Sequence, residues 1–66
     1  MYSNETTHGI YESFQIIRSV GRTTNFNELY DLAKDIGTIE EIRYVINKLC
    51  FHGALHEDTP DNYTWL

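Results

Sequence analysis

The chain has 66 residues, with five Lys or Arg against ten Asp or Glu and a formal net charge of −5. This length supports one small domain whose core has little apolar material to spare, which excludes a large ligand cavity or a deep active site. The acidic balance opposes non-specific attraction to nucleic-acid phosphates and to anionic membranes. Hydrophobic residues make up 41% of the chain, too much for a disordered polypeptide, so we expect a single folded domain over residues 1–66.

Targeting signals and cysteine content indicate the cellular compartment. The N-terminal MYSNETTHG has neither a basic start nor an apolar run, and no stretch reaches the roughly 18 apolar residues of a membrane span. Cys50 is the only cysteine, so no internal disulfide can form, which fits a reducing compartment. We predict a cytoplasmic protein without membrane association and with a flexible N-terminal segment at residues 1–8.

Two amphipathic helices are predicted in the first half of the chain. The first runs from about Thr7 to Val20, and Gly21 suits the left-handed conformation that ends many helices. Residues 22–25, RTTN, favour a short extended run, and Asn25 with Glu28 forms a variant capping box that starts the second helix. Gly37 ends that helix. The apolar positions of the two helices are Ile10, Phe14, Ile17 and Val20, and then Phe26, Leu29, Tyr30, Leu32, Ala33 and Ile36.

A third helix and a hairpin complete the predicted elements. Thr38 and Glu41 form a regular capping box, and the helix continues to about His52, before Gly53. The segment from Asp58 to Asn62 is rich in turn formers, and good strand residues lie on both sides of it. The predicted buried stripe of the third helix is Ile39, Ile42, Val45, Ile46, Leu49 and Cys50.

This order of elements resembles the winged helix-turn-helix family from Ile10 to Leu66. ELYDLAKDIG is similar to the family's second helix, Gly37 and Thr38 to its turn, and IEEIRYVINKLCFHG to its recognition helix. ALHE and YTWL then correspond to the two strands of the wing. The resemblance implies an α+β, mainly α fold: a three-helix winged helix-turn-helix with a C-terminal β-hairpin wing.

The segment LCFHGALHED raises the question of a metal site. A zinc site needs three or four converging ligands, but His52 points about 160° away from Cys50 around a helix. His52, His56 and Glu57 are the best candidates for a metal site. We favour the interpretation in which Cys50 is a buried thiol, His52 a surface histidine at a helix end and His56 a histidine on a strand. We therefore predict no metal and no cofactor.

Catalysis is also disfavoured by the sequence. A buried Cys50 has a raised pKa and an inert thiol. Glu40 and Glu41 point about 100° apart and serve the start of their helix electrostatically. No glycine-rich phosphate loop occurs. We predict no enzymatic activity, no catalytic residue and no small-molecule substrate.

Binding to DNA is one function that the resemblance implies. The exposed side of the recognition helix would enter the major groove, with Arg43 suited to guanine and Asn47 to adenine. Acidic side chains oppose this, because Glu40 and Glu41 occupy the helix start and residues 52–66 contain no Lys or Arg. The candidate binding residues, for DNA or for a protein partner, are Glu40, Arg43, Tyr44, Asn47, Lys48 and Phe51 on the recognition helix, Arg18 and Arg22 as possible phosphate or partner contacts, and Glu57, Asp58 and Asp61 on the wing.

Binding to a protein is the function that we favour. Tyr44 and Phe51 lie within about 20° of each other on the side opposite the core stripe, a pattern typical of interface anchors. Alternatively, the wing folds over Phe51. We predict a small regulatory binding module, a monomer or weak homodimer, whose partner is a protein in preference to DNA. The alternatives are a sequence-specific DNA-binding transcriptional regulator and an acidic inhibitor that mimics nucleic acid.

Overall fold

A computed structural model of the protein describes residues 4–66 and shows three helices with a three-stranded antiparallel sheet. The sheet order is β1-β3-β2, so the last strand lies between the other two. The predicted α+β, mainly α fold with a C-terminal β-hairpin is confirmed, and it is compatible with a winged helix. The elements are α1 (Asn4–Val20), β1 (Thr23–Asn25), α2 (Phe26–Ala33), α3 (Ile39–Phe51), β2 (Leu55–Thr59) and β3 (Asn62–Trp65).

Helix α1 begins at Asn4, three residues before the predicted start, so residues 4–8 of the predicted flexible segment belong to the helix. Residues 1–3, the rest of that predicted segment, lie outside the described residues. Glu5 in the first turn favours this earlier start through the helix dipole. Ile10 and Phe14 are buried as predicted, but Val20 is 84% exposed because it lies about 80° around the helix from Ile10.

The ends of α1 and α2 differ from the sequence predictions. Gly21 follows α1 but does not adopt the predicted left-handed conformation. Its N–H instead donates a hydrogen bond to the carbonyl of Ile17, as in a further residue of the helix. Helix α2 ends at Ala33, whose carbonyl accepts from the N–H groups of both Ile36 and Gly37. This closing turn leaves Ile36 exposed, contrary to its predicted core position. A Cβ on Gly37 would lie 2.9 Å from the terminal methyl groups of Ile10 and Thr6, so α1 packs closely against this turn.

Helix caps fix the starts of α2 and α3 as predicted. The N–H of Glu28 donates to Oδ1 of Asn25 at 2.9 Å, which caps α2. At α3 the N–H of Glu41 donates to Oγ1 of Thr38 at 3.2 Å, and the N–H of Thr38 donates to Oε1 of Glu41 at 2.9 Å. Gly53 follows α3 at φ +80°, in the left-handed region that glycine tolerates. The predicted capping box of Thr38 and Glu41 at the start of α3 is confirmed.

The buried stripe of α3 is narrower than the sequence predicted. Ile42, Val45, Ile46 and Leu49 are buried. Ile39 is 49% exposed because, as the first residue of the helix, it lies at the edge of the packed region. Cys50 is half-buried and packs against the core from its side. These two residues therefore flank the core instead of belonging to it.

The hairpin is tighter than predicted. Strand β2 extends through Asp58 and Thr59, and Asn62 already belongs to β3, so the turn consists of Pro60 and Asp61. Asp61 has φ 66°, which allows the chain to reverse within this short turn. Strand β1, predicted as an extended run, pairs with the other edge of β3.

The core lies between the three helices and one face of the sheet. Among the described residues, Thr24 is the one polar residue that is buried in this core, with 5% exposure. No helix in the described part of the chain is long and apolar enough to span a bilayer. The buried apolar residues are Ile10, Phe14, Phe26, Leu29, Ala33, Ile42, Val45, Ile46, Leu49, Leu55, Tyr63 and Trp65.

Candidate interaction surface

The side of α3 that faces away from the core forms a surface that we name the α3 crest. Its residues are Glu40, Tyr44, Asn47 and Phe51, which fall within about 60° of one another around the helix. All four are exposed, and the exposed fraction of Phe51 is 87%. The hairpin therefore does not fold over Phe51, and the crest is accessible in the structure.

Arg43 lies on the hairpin side of the crest and has partners within the fold. Its Cζ lies 4.2 Å from the centroid of the Phe26 ring, and its Nη1 lies 4.0 Å from Oδ1 of Asp61. Asn47 is exposed one turn further along α3. The structure thus brings the two predicted base-contacting residues onto one helix, but it holds Arg43 against α2 and the hairpin turn.

The three acidic side chains of the hairpin also have defined positions. Glu57 accepts a hydrogen bond from the N–H of Asp61 at 3.1 Å, and Asp58 accepts one from the hydroxyl of Thr64. Burial raises the pKa of the Cys50 thiol, and the negative charge of Glu57 raises it further. Glu57 therefore brings negative charge to the junction between α3 and the hairpin.

The remaining predicted cations lie at two separate places. Nζ of Lys48 is 5.5 Å from the centroid of the Tyr44 ring, on the side of the crest opposite Arg43. Cζ of Arg18 is 5.5 Å from the Trp65 ring, and the carbonyl of Arg22 accepts from the N–H of Trp65. The structure therefore brings Lys48 to the crest and associates Arg18 and Arg22 with the end of β3.

The histidines and the cysteine do not converge on one point. The ring of His52 meets that of Phe51 edge-to-face at 5.5 Å, whereas Nε2 of His56 lies 3.5 Å from Asp58. Within residues 4–66, no group of three or more His, Cys, Asp or Glu side chains could hold a metal ion. The raised pKa of Cys50 leaves its half-buried thiol protonated and poorly nucleophilic at neutral pH.

A groove between α1 and α3, absent from the sequence predictions, borders the crest on the side of Lys48. Its volume is about 320 Å³. Tyr11 is the signal that could have revealed it, because this aromatic residue lies about 100° away from Ile10 around α1. The groove is lined by Asn4, Thr7, His8, Tyr11, Tyr44, Val45, Lys48, Leu49 and His52.

Comparison with protein-family models, curated proteins and solved structures finds no match for this chain. Its function is therefore inferred from its own fold and surface.

Proposed function

We propose that this chain is a small winged-helix binding module that acts through macromolecular interaction, with a protein partner seated on the α3 crest. Two features of the fold support the winged-helix assignment. The helices and strands follow the family's order, and β3 lies between β1 and β2. Helix α3 then corresponds to the recognition helix and the β2–β3 hairpin to the wing.

The exposure of Phe51 carries the proposal. A phenylalanine that is 87% exposed leaves most of its apolar surface in water, and burying such a side chain contributes about 1.5–3 kcal/mol. Tyr44 lies nearly above it on the same helix, and Asn47 and Lys48 add polar groups around the pair. Aromatic anchors within a polar rim are typical of protein interfaces.

Electrostatics favour a protein over DNA as the partner. A wing that contacts DNA brings positive charge to phosphate, but residues 52–66 carry Glu57, Asp58 and Asp61 and no Lys or Arg. Arg43 is the best candidate for contacting a base, and its contacts with Phe26 and Asp61 would have to be given up. A partner with a basic surface would instead complement the hairpin.

Binding is also better supported than catalysis. Cys50 has a raised pKa, and no activating base is hydrogen-bonded to its thiol among the described residues. Glu41, one of the two adjacent carboxylates on α3, is engaged in the capping box. We therefore propose no enzymatic role and no cofactor.

The test is affinity purification from a nuclease-treated lysate with the wild-type chain, Phe51→Ala, Tyr44→Ala and the control Ile16→Ala. Ile16 is 62% exposed on α1, so it matches Phe51 as an exposed apolar residue outside the crest. A specific partner should be retained by the wild type and the control and lost with Phe51→Ala. Calorimetry with the purified partner should then show at least about a tenfold loss of affinity, the scale of an interface anchor. Equal capture by all four chains would refute the proposal.

A sequence-specific DNA-binding regulator is the second candidate, favoured by the exposure of both Arg43 and Asn47 on α3. Fluorescence anisotropy with random duplex DNA at low salt tests it directly. Our proposal expects no binding. Binding that falls steeply with salt, together with a base preference that Arg43→Ala relaxes, would establish the DNA alternative instead.

A further inference from the structure

The groove between α1 and α3 has an apolar base and aromatic sides. Val45 and Leu49, with 5% and 7% exposure, are both core residues and lining residues, so they form the base. Tyr11 on α1 and Tyr44 on α3 form the sides, and both remain partly exposed. A volume of about 320 Å³ is at the lower end of the range for sites that bind small organic molecules. The groove could thus receive one aromatic ring.

The charge of the groove differs from that of the whole chain. The chain has ten acidic and five basic residues, yet none of the nine lining residues within the described range 4–66 is acidic. Lys48 lies at the edge of the groove, where it has the Tyr44 ring beside it and forms no ion pair within residues 4–66. His8 and His52 add two imidazoles that can donate hydrogen bonds.

Two of the four acidic residues on the same two helices, Glu12 and Glu41, interact within the fold. Oε1 of Glu12 lies 2.5 Å from Nε2 of His8, so Glu12 offsets any positive charge that His8 carries. The carboxylate of Glu41 accepts from the N–H of Thr38. Lys48 is therefore the cation whose charge a ligand would complement, with His52 as a second donor.

We infer that this groove binds a small aromatic carboxylate, with the ring between Tyr11 and Tyr44 and the carboxylate beside Lys48 and His52. One ammonium group complements a singly charged anion better than a phosphate, which proteins usually hold with several donors or an arginine fork. This inference is independent of the proposed protein partner, although Tyr44 belongs to both surfaces.

Benzoate and benzamide are matched probes for the inference, because they share a ring and similar size but differ in charge. We expect benzoate, titrated into the ¹⁵N-labelled full chain at constant ionic strength, to shift the amide signals of Tyr11, Tyr44 and Lys48. Benzamide should bind roughly fivefold or more weakly, the scale of one partly exposed charge contact. The Lys48→Gln variant should bring the affinity for benzoate down to that for benzamide.

Arg22→Gln is the control, because it removes an exposed cation outside the groove. It should leave the affinity for benzoate unchanged. Since Lys48 and Arg22 are both exposed, both variants should keep the wild-type fold, which the dispersion of the same spectra checks. The inference is overturned if benzoate shifts no groove signal at tens of millimolar, if benzamide binds equally well, or if Lys48→Gln binds benzoate like the wild type.

Discussion

The guanidinium of Arg43 lies over the ring of Phe26, with 4.2 Å between Cζ and the ring centroid. Phe26 is the first residue of α2, and its N–H donates to the carbonyl of Asp61 in the hairpin turn. Nη1 of Arg43 also lies 4.0 Å from Oδ1 of Asp61. One side chain of α3 thus contacts both the start of α2 and the hairpin, at the place where a DNA-binding function would require it to reach outwards.

Replacing Arg43 should therefore affect stability. We expect Arg43→Ala to lower the free energy of unfolding by about 0.5–1 kcal/mol, the size of a cation–π contact at an exposed site, because the exposed ion pair with Asp61 adds little. Urea unfolding followed by circular dichroism measures it. Arg22→Ala is the control, since the guanidinium of Arg22 makes no cation–π contact or ion pair with any residue that the structure describes. The change in the free energy of unfolding should be within about 0.5 kcal/mol. Equal effects of the two substitutions would show that Arg43 is not held by Phe26.

The glycines at the ends of α1 and α3 should respond differently to alanine. Gly53 has φ +80°, where a Cβ costs about 1–2 kcal/mol, although an added Cβ would meet no atom within 4 Å. Gly21 has equal space and no positive φ. We expect Gly53→Ala to lower the midpoint of urea unfolding clearly and Gly21→Ala to leave it nearly unchanged or raise it. Similar midpoints for the two variants would contradict the conformational argument.

The sequence predicted α3 most accurately because the signals that define it are local. Thr38 and Glu41 determine its start through a capping box within one turn, and Gly53 marks its end. Helical periodicity alone also placed Tyr44 and Phe51 opposite the core, and their exposure follows from that periodicity. The end of α2 was predicted less well, because the close packing of Gly37 against α1 is a tertiary contact.

The contacts that define the candidate surfaces could not be predicted from the sequence, because they too are tertiary contacts. The approach of Arg43 to Phe26 depends on how α2 and α3 cross, and the register of the hairpin turn brings Asp61 to the same place. The groove requires that Tyr11 on α1 and Tyr44 on α3 line the same depression. Neither arrangement has a signature in sequence spacing, since each joins elements that are far apart in the chain.

The two phenylalanines with the most different exposure provide a test of the crest. Phe51 is 87% exposed and Phe14 is fully buried. Phe51→Ala should change the free energy of unfolding by less than about 0.5 kcal/mol, whereas Phe14→Ala should cost about 3–5 kcal/mol, enough to unfold much of so small a domain. Thermal unfolding of both variants measures the difference. A large loss with Phe51→Ala would mean that the fold itself buries this ring.

Stability should fall at alkaline pH because two weakly acidic side chains between α3 and the hairpin, the Cys50 thiol and the Tyr63 phenol, have raised pKa values. For Cys50 and for Tyr63, burial is the main cause of the raised pKa and the charge of Glu57 is the next. The folded state then holds these protons more tightly than the unfolded chain. The stability that they contribute is complete below about pH 8.5 and is lost as the pH rises through their folded pKa values.

Glu57→Gln removes part of the repulsion, so we expect the free energy of unfolding of this variant to fall less steeply between about pH 8.5 and 11 than that of the wild type. The slope is the informative quantity, because loss of the hydrogen bond from the N–H of Asp61 would shift the whole curve by a similar amount at every pH. Asp35→Asn is the control, because this exposed acid after α2 is not among the charges that raise either pKa. Urea unfolding across the range measures all three slopes, and parallel curves for the wild type and Glu57→Gln would exclude Glu57 as a cause.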